Sequence, residues 1–336
     1  EISFGNYVGH VAYYKDYRDG GHAYNWAVPG FKTTDLVELI NPPFVPDSAE
    51  ELLDSLSCPR LKAQLKNEVA WAVIFCGGND LSSLYAELCA GTATSAQLTA
   101  IRDNLAATID FVRAQNNAVR IVLVNTPDIG VTPKVKDRAP DPAWRAVASA
   151  GIAALNALLA ELATDRGIAL ADIFTVTCRL DEADPFLLNG TPFLNDGDPT
   201  RENRPQYLFA KDGFHASTAA QALIANAILQ AMNTRYAAGF TLLTNRELIA
   251  ATDLDQPYLY WLAAAGLPAG TATTADTDGD GVTLLSEFAL GLSPTQPDTP
   301  VLRATPTTAP EIAASFVYPP DRSDGYALTT GEWTTD

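Results

Sequence analysis

The sequence predicts an α/β fold built on a parallel sheet. Three observations carry this: short, uninterrupted apolar runs, long helical patterns between and after them, and an apolar content of 47% over 336 residues, ample for a buried core. The runs are residues 71–76 (WAVIFC), 119–125 (VRIVLVN) and 168–173 (IALADI). An apolar run without alternation marks a strand covered on both faces, as crossover helices cover a parallel sheet.

The helices are read from their ends. Residues 94–116 open with Thr94-Ser95-Ala96-Gln97, a pattern in which hydroxyl and amide cap each other's backbone N–H. Residues 142–166 are rich in Ala and Leu, start on Pro142 and are followed by Gly167. Residues 217–238 run into Gly239 in the same way. After about residue 240 the strand pattern is lost and Pro, Thr, Asp and Gly become frequent. A short helical pattern (256–265) precedes an Asp-rich loop, a Thr/Pro linker covers 295–310, and 311–336 alternates weakly, as a β segment does. The expected division is a domain over 1–240, a helical loop module over 241–294, and a linker with a partial β segment over 295–336.

Charge narrows the partners. Acids outnumber bases 40 to 22, for a net charge of −18. Phosphate backbones and anionic lipid surfaces both need clustered Lys and Arg, so no nucleic-acid partner and no docking on acidic membranes is expected. No run of 18 apolar residues is present, so no membrane span is expected, and no leader peptide is recognisable. The acidity reads as solubility outside a cell. The four cysteines, Cys58, Cys76, Cys89 and Cys178, have no zinc-type spacing. Cys76 reads as a buried thiol, and a Cys58–Cys89 pairing is left open.

Three loops carry candidate chemistry. In Lys211-Asp212-Gly213-Phe214-His215 the carboxylate can reach imidazole Nδ1, fix the tautomer and leave Nε2 as a base. The alternative is a turn aspartate with His215 capping the next helix. The run 71–76 ends in Gly77-Gly78-Asn79-Asp80, where glycines permit close approach and Asn79 offers an N–H₂ donor for an oxyanion. The alternative is a glycine turn with Asp80 as helix cap. The third loop is Asn25-Trp26-Ala27-Val28-Pro29-Gly30, with the Gly30 N–H as a further donor, or an ordinary strand-to-helix loop.

In this order the loops resemble the SGNH/GDSL hydrolase superfamily. Asn25 to Gly30 is similar to its second block, Gly77 to Asp80 to its G-x-N-D block, and Asp212 to His215 to its D-x-x-H block. Pro127-Asp128-Ile129-Gly130-Val131-Thr132-Pro133 is similar to a stretch common in its lipases and esterases, with Asp128 structural. The resemblance covers about 1–238. It implies a flavodoxin-like three-layer sandwich around the parallel sheet. It also implies an oxyanion hole from Gly30 and Asn79, His215 as base, Asp212 as its orienter, and ester hydrolysis through a serine acyl-enzyme with no catalytic cofactor. Ester substrates follow from it; the appended module and the acidic, aromatic-containing surface point towards acylated polysaccharide, with lipid as the alternative, and the acidity towards a secreted, cell-surface or periplasmic location.

The family's first block carries the nucleophilic serine. Placing Ile2-Ser3-Phe4-Gly5 on that block puts Glu1 at the nucleophile position, with Ser3 as an alternative two residues on. The expectation is that the block's Gly-Asp and the first strand precede Glu1. A second reading is an inactive relative that binds carbohydrate or a cell-surface partner. His10 and His22 read as surface or packing residues. Tyr13, Tyr14, Tyr17, Tyr24 and Trp26 read mainly as packing, or as the lining of a sugar cleft.

Asp276-Thr277-Asp278-Gly279-Asp280-Gly281-Val282-Thr283-Leu284-Leu285-Ser286-Glu287 follows the EF-hand loop. Asp276, Asp278 and Asp280 stand at positions 1, 3 and 5, Gly281 at the sharp turn, the Val282 carbonyl at 7 and Glu287 at 12. The loop resembles those of dockerin-like extracellular modules and predicts one structural Ca²⁺. Oligomeric state leaves no trace in the sequence.

Overall fold

The computed structural model describes residues 23–27, 30–40, 59–182, 186–188, 191–197, 205–252, 257–268, 270–297, 303–306 and 312–315. They fall into two compact units. One takes Glu1–Gly130, Arg138–Thr177 and Ala227–Phe240; the other takes Val131–Asp137, Cys178–Asn226 and Thr241–Asp336. The last segment of the first unit ends at Phe240, and two earlier segments, 131–137 and 178–226, group with the later residues.

In the first unit, strands β1 (Trp71–Ile74), β2 (Arg120–Val124) and β3 (Ala169–Ala171) pair in parallel in the order β1-β2-β3. Each is shorter than its apolar run. Phe75 and Cys76 follow the last ladder pair, Ile74–Leu123, and leave the sheet to make the turn into the next helix. Ile121, Val122, Leu123 and Val124 are all at most 1% exposed. Successive side chains point to opposite faces, so β2 is covered on both, as its unbroken apolar run requires. On β1, Val73 remains 48% exposed.

The crossover helices start and stop where their caps dictate. Helix α1 (Thr33–Ile40) precedes the sheet, and α2 (Gly78–Ala90) and α3 (Ser95–Gln115) link β1 to β2. Thr94 Oγ1 accepts the Gln97 N–H at 3.3 Å and Gln97 Oε1 accepts the Thr94 N–H at 2.8 Å, the reciprocal cap expected there. Short α4 (Pro133–Arg138) and long α5 (Pro142–Arg166) link β2 to β3. Asp141 caps α5, Pro142 begins it, and Gly167 ends it in the left-handed conformation at φ 58°. By length and composition α5 is apolar enough to cross a membrane. Its Ala148, Ile152, Leu155, Leu159 and Leu162 recur at three- and four-residue spacing and are all buried, forming a stripe in the core of the unit.

Helix α6 (Ile173–Glu182) begins in the first unit and ends in the second, where strands follow that the sequence pattern does not announce: β4 (Phe186–Leu188), β5 (Thr191–Gly197) and β6 (Tyr207–Phe209). β4 pairs antiparallel and β6 parallel with β5. Two of the three span only three residues, and β5 holds Pro192 and Gly197, so no period-2 signal survives. Phe186, Leu188, Phe193, Leu208 and Phe209 form their core with Ala219 and Ala220 of α7 (Thr218–Tyr236) and Leu248 and Ile249 of α8 (Asn245–Ala250). Helices α9 (Pro257–Ala264) and α10 (Leu284–Leu290) share a smaller cluster of Trp261, Leu262, Leu284 and Phe288. The linker expected over 295–310 contains β7 (Arg303–Pro306), paired antiparallel with β8 (Ile312–Ser315). Backbone pairing with β8 made this strand, which its own residues do not signal.

Candidate active site

The turn at residues 211–214 is set by a narrow hairpin. Ala210 N–H donates to His215 O at 2.8 Å and Ser217 N–H to Leu208 O at 2.9 Å, so β6 returns on itself. Gly213 adopts φ 67°, and its carbonyl accepts the Lys134 N–H at 2.9 Å. Within this frame Asp212 Oδ1 accepts the Phe214 and His215 N–H groups at 2.9 and 3.0 Å. Asp212 Oδ2 lies 2.5 Å from His215 Nδ1. The aspartate therefore both makes the turn and holds the imidazole, and Nε2 is the nitrogen left for proton transfer. The side chain of His215 is 74% exposed. Partial burial acts to raise the Asp212 pKa. Hydrogen bonds from the His215 ring and from the His215 and Phe214 amides, with the imidazole's charge, outweigh it and hold the carboxyl below its usual range. Phe214 meets the imidazole edge-on at 5.3 Å between centroids.

The other candidate pair lies in the first unit. Gly77 has φ 122°, and a Cβ there would lie 2.9 Å from the Thr126 methyl. Gly78 faces open space. The first glycine is thus demanded by backbone and packing, the second by neither. Gly77→Ala is expected to cost about 1–3 kcal/mol in chemical denaturation, and Gly78→Ala less than about 1 kcal/mol. Equal costs would refute this division of roles. Gly30, at φ 83°, also faces open space. Asn79 Nδ2 donates to Phe31 O at 2.9 Å, which brings the asparagine to the loop that carries Gly30. Asp80 does not cap its own helix, whose N-cap is Gly77; it accepts hydrogen bonds from Thr33 instead.

Cys76 Sγ stands beside this loop, 3.8 Å from Phe31 O. Burial foremost, then the charge of Asp80, push its thiol up to about 12. Cys76 and Cys89 carry free thiols; the Cys58–Cys89 pairing left open by the sequence involves a residue outside the described ones. Glu1, Ser3, His10, His22, Tyr13, Tyr14, Tyr17 and Cys58 lie outside the described residues. Trp26 Nε1 donates to Gln64 Oε1 at 2.8 Å, a packing role, while Tyr24 is 60% exposed.

A profile of the GDSL-like Lipase/Acylhydrolase family matches residues 7–223, a span that includes Gly30, Asn79, Asp212 and His215. The chain belongs to this family. No curated protein and no solved structure matches it. Membership in the GDSL-like family supports hydrolase activity with esters as the substrate class.

Beyond the GDSL-like span, the structure gathers Asp276, Asp278 and Asp280, whose ligand oxygens lie within 4.8 Å of one another. Their carboxylates also fold the loop: Asp276 accepts the Gly279 and Gly281 N–H groups at 2.8 and 2.9 Å, and Asp280 the Val282 N–H at 2.7 Å. Gly281, at φ 90°, makes the sharp turn expected at position 6. Asp278 Oδ2 is buried without a hydrogen-bond partner. Glu287 is fully buried in the first turn of α10 and does not join the three-aspartate cluster. Burial, then the charge of Glu287, raises the Tyr258 pKa.

Proposed function

We propose that this chain is a carboxylic-ester hydrolase of serine type, with His215 as its general base. The observation that carries the reading is the 2.5 Å contact of His215 Nδ1 with Asp212 Oδ2, on a chain of the GDSL-like family. In the first half-reaction His215 Nε2 takes the proton of a serine hydroxyl as its oxygen attacks the ester carbonyl. The tetrahedral oxyanion accepts hydrogen bonds from Gly30 N–H and Asn79 Nδ2. Collapse breaks the ester C–O bond, and the imidazolium returns the proton to the leaving alcohol. Water then enters by the same route, activated by His215, and frees the acid. The seat of the acyl group is a serine of the first block, where Glu1 stands at the aligned position and Ser3 two residues later. The surrounding fold is read as a flavodoxin-like three-layer sandwich, in line with the two-sided burial of β2.

The substrate class is an acyl ester of a polysaccharide or lipid, and the location extracellular, in keeping with the net charge of −18. Asp276, Asp278, Asp280, the Val282 carbonyl and Glu287 are proposed to hold one structural Ca²⁺, supported by the oxygen cluster and the Gly281 turn. The module over 241–294 and the segment over 295–336 are appendages in this reading.

The test is hydrolysis of p-nitrophenyl acetate and longer acyl homologues, with fluorophosphonate labelling followed by peptide mass spectrometry. The expected result is turnover and one labelled serine. The Glu1 alignment favours a second reading, a scaffold that binds carbohydrate without cleaving it. Absence of both turnover and label, with retention on an acetylated polysaccharide, would establish that reading instead.

A further inference from the structure

Two adjacent side chains of α2 grip the loop that carries Gly30. Asn79 does so at Phe31, through the 2.9 Å hydrogen bond from its Nδ2 to the carbonyl. Asp80 does so at Thr33. Its Oδ1 accepts the Thr33 hydroxyl at 2.8 Å and its Oδ2 accepts the Thr33 N–H at 3.0 Å. Asn104 of α3 adds a third point, donating Nδ2 to Thr33 Oγ1 at 3.1 Å. Asp80 is 8% exposed and Thr33 0%, so these bonds form away from water.

The arrangement answers a need of α1. The first N–H groups of any helix lack partners within it and are usually met by an acceptor on the preceding residue. Here that residue is Lys32, whose side chain has no acceptor. The missing cap comes from Asp80, 47 positions further along the chain. A carboxylate there also meets the positive end of the helix dipole. Where α1 begins, and hence where residues 30–32 run, is therefore set by the residue next to Asn79.

We propose that Asp80 is a positioning residue for ester hydrolysis: by capping Thr33 it fixes the Gly30 N–H relative to the Asn79 amide, so that the two donors keep the spacing a developing oxyanion requires. The proposal rests on the reading of Gly30 and Asn79 as oxyanion donors. Such donors act because they are held in place before charge develops, and ångström-scale displacement removes much of their effect.

Asp80→Asn keeps the size and one acceptor but sets an N–H₂ group against one of Thr33's two donors. It is expected to lower kcat on p-nitrophenyl acetate by about 10–100-fold, leaving KM within about twofold, because the donors act on the transition state. Thr33→Val should reproduce the loss, and Thr33→Ser, which keeps the hydroxyl, should restore turnover. In an Asn79→Ala background Asp80→Asn should cost much less, since one donor it aligns is already gone. A lower melting temperature with unchanged kcat, or effects of the two substitutions that simply multiply, would overturn the proposal.

A second readout is independent of turnover. Amide exchange at Gly30–Thr33 should quicken in Asp80→Asn while exchange across β2 stays unchanged; unaltered exchange at the loop refutes the clamp. If the unsubstituted chain hydrolyses no ester, the hydrolase reading fails and the positioning role with it. If that chain is active and the kcat effect is missing, the positioning role alone fails.

Discussion

Replacing His215 with alanine is expected to lower ester turnover by about 10³-fold or more, with little change in KM. The imidazole is the proton acceptor in both half-reactions of the proposed cycle, and its loss leaves the serine hydroxyl unactivated. Asp212→Asn is expected to lower kcat by about 10²–10⁴-fold without removing the base. The amide can present an N–H₂ group to Nδ1 and favour the tautomer that carries its proton on Nε2, where a base needs a lone pair. It also weakens an acceptor of the two backbone N–H groups that shape the turn. Steady-state kinetics on a chromogenic ester, with circular dichroism to confirm folding, decide the matter. Turnover within about tenfold of the parent for His215→Ala would remove His215 from the mechanism.

The pH dependence has a defined sign. The Asp212 pKa is depressed below its ordinary 3.8 in the folded chain. Its contribution to stability and to imidazole orientation is therefore fully present above that value and is lost only as pH falls through the lowered one. A decline in kcat from Asp212 titration should accordingly lie below about pH 4.

Calcium withdrawal is the second large effect expected, this time on stability. The oxygens of Asp276, Asp278 and Asp280 converge within 4.8 Å, so their charges repel in the absence of a cation. An ion at one hundred times its dissociation constant stabilises the folded state by about 2.7 kcal/mol. Chelation should therefore lower the melting temperature of the transition that involves this loop. Tryptophan emission offers a local reporter. Trp261 stacks on Tyr258 at 5.7 Å and meets Phe288 at 5.5 Å, and Phe288 follows Glu287 on the same helix. Titrating millimolar Ca²⁺ into the chelated protein should change that emission, and Glu287→Gln should weaken the response by removing one charge from the proposed ligand set. Identical melting and emission in chelator and in calcium would leave the loop an acidic turn.

The sequence was informative where structure is local. The reciprocal cap of Thr94 and Gln97, the Pro142 start and Gly167 end of α5, and the Asp212–His215 pair all join residues within a few positions, so the side chains themselves state the geometry. The unbroken apolar run of β2 likewise declares burial on both faces. Tertiary structure decided what distant residues do together. It placed Asp80 on Thr33 rather than on its own helix, split the duties of Gly77 and Gly78 through the Thr126 methyl, and made strands of β4, β6 and β7. Contacts between residues tens of positions apart, and strands of three or four residues held by backbone pairing, impose no period on the chain, and only folding reveals which groups meet.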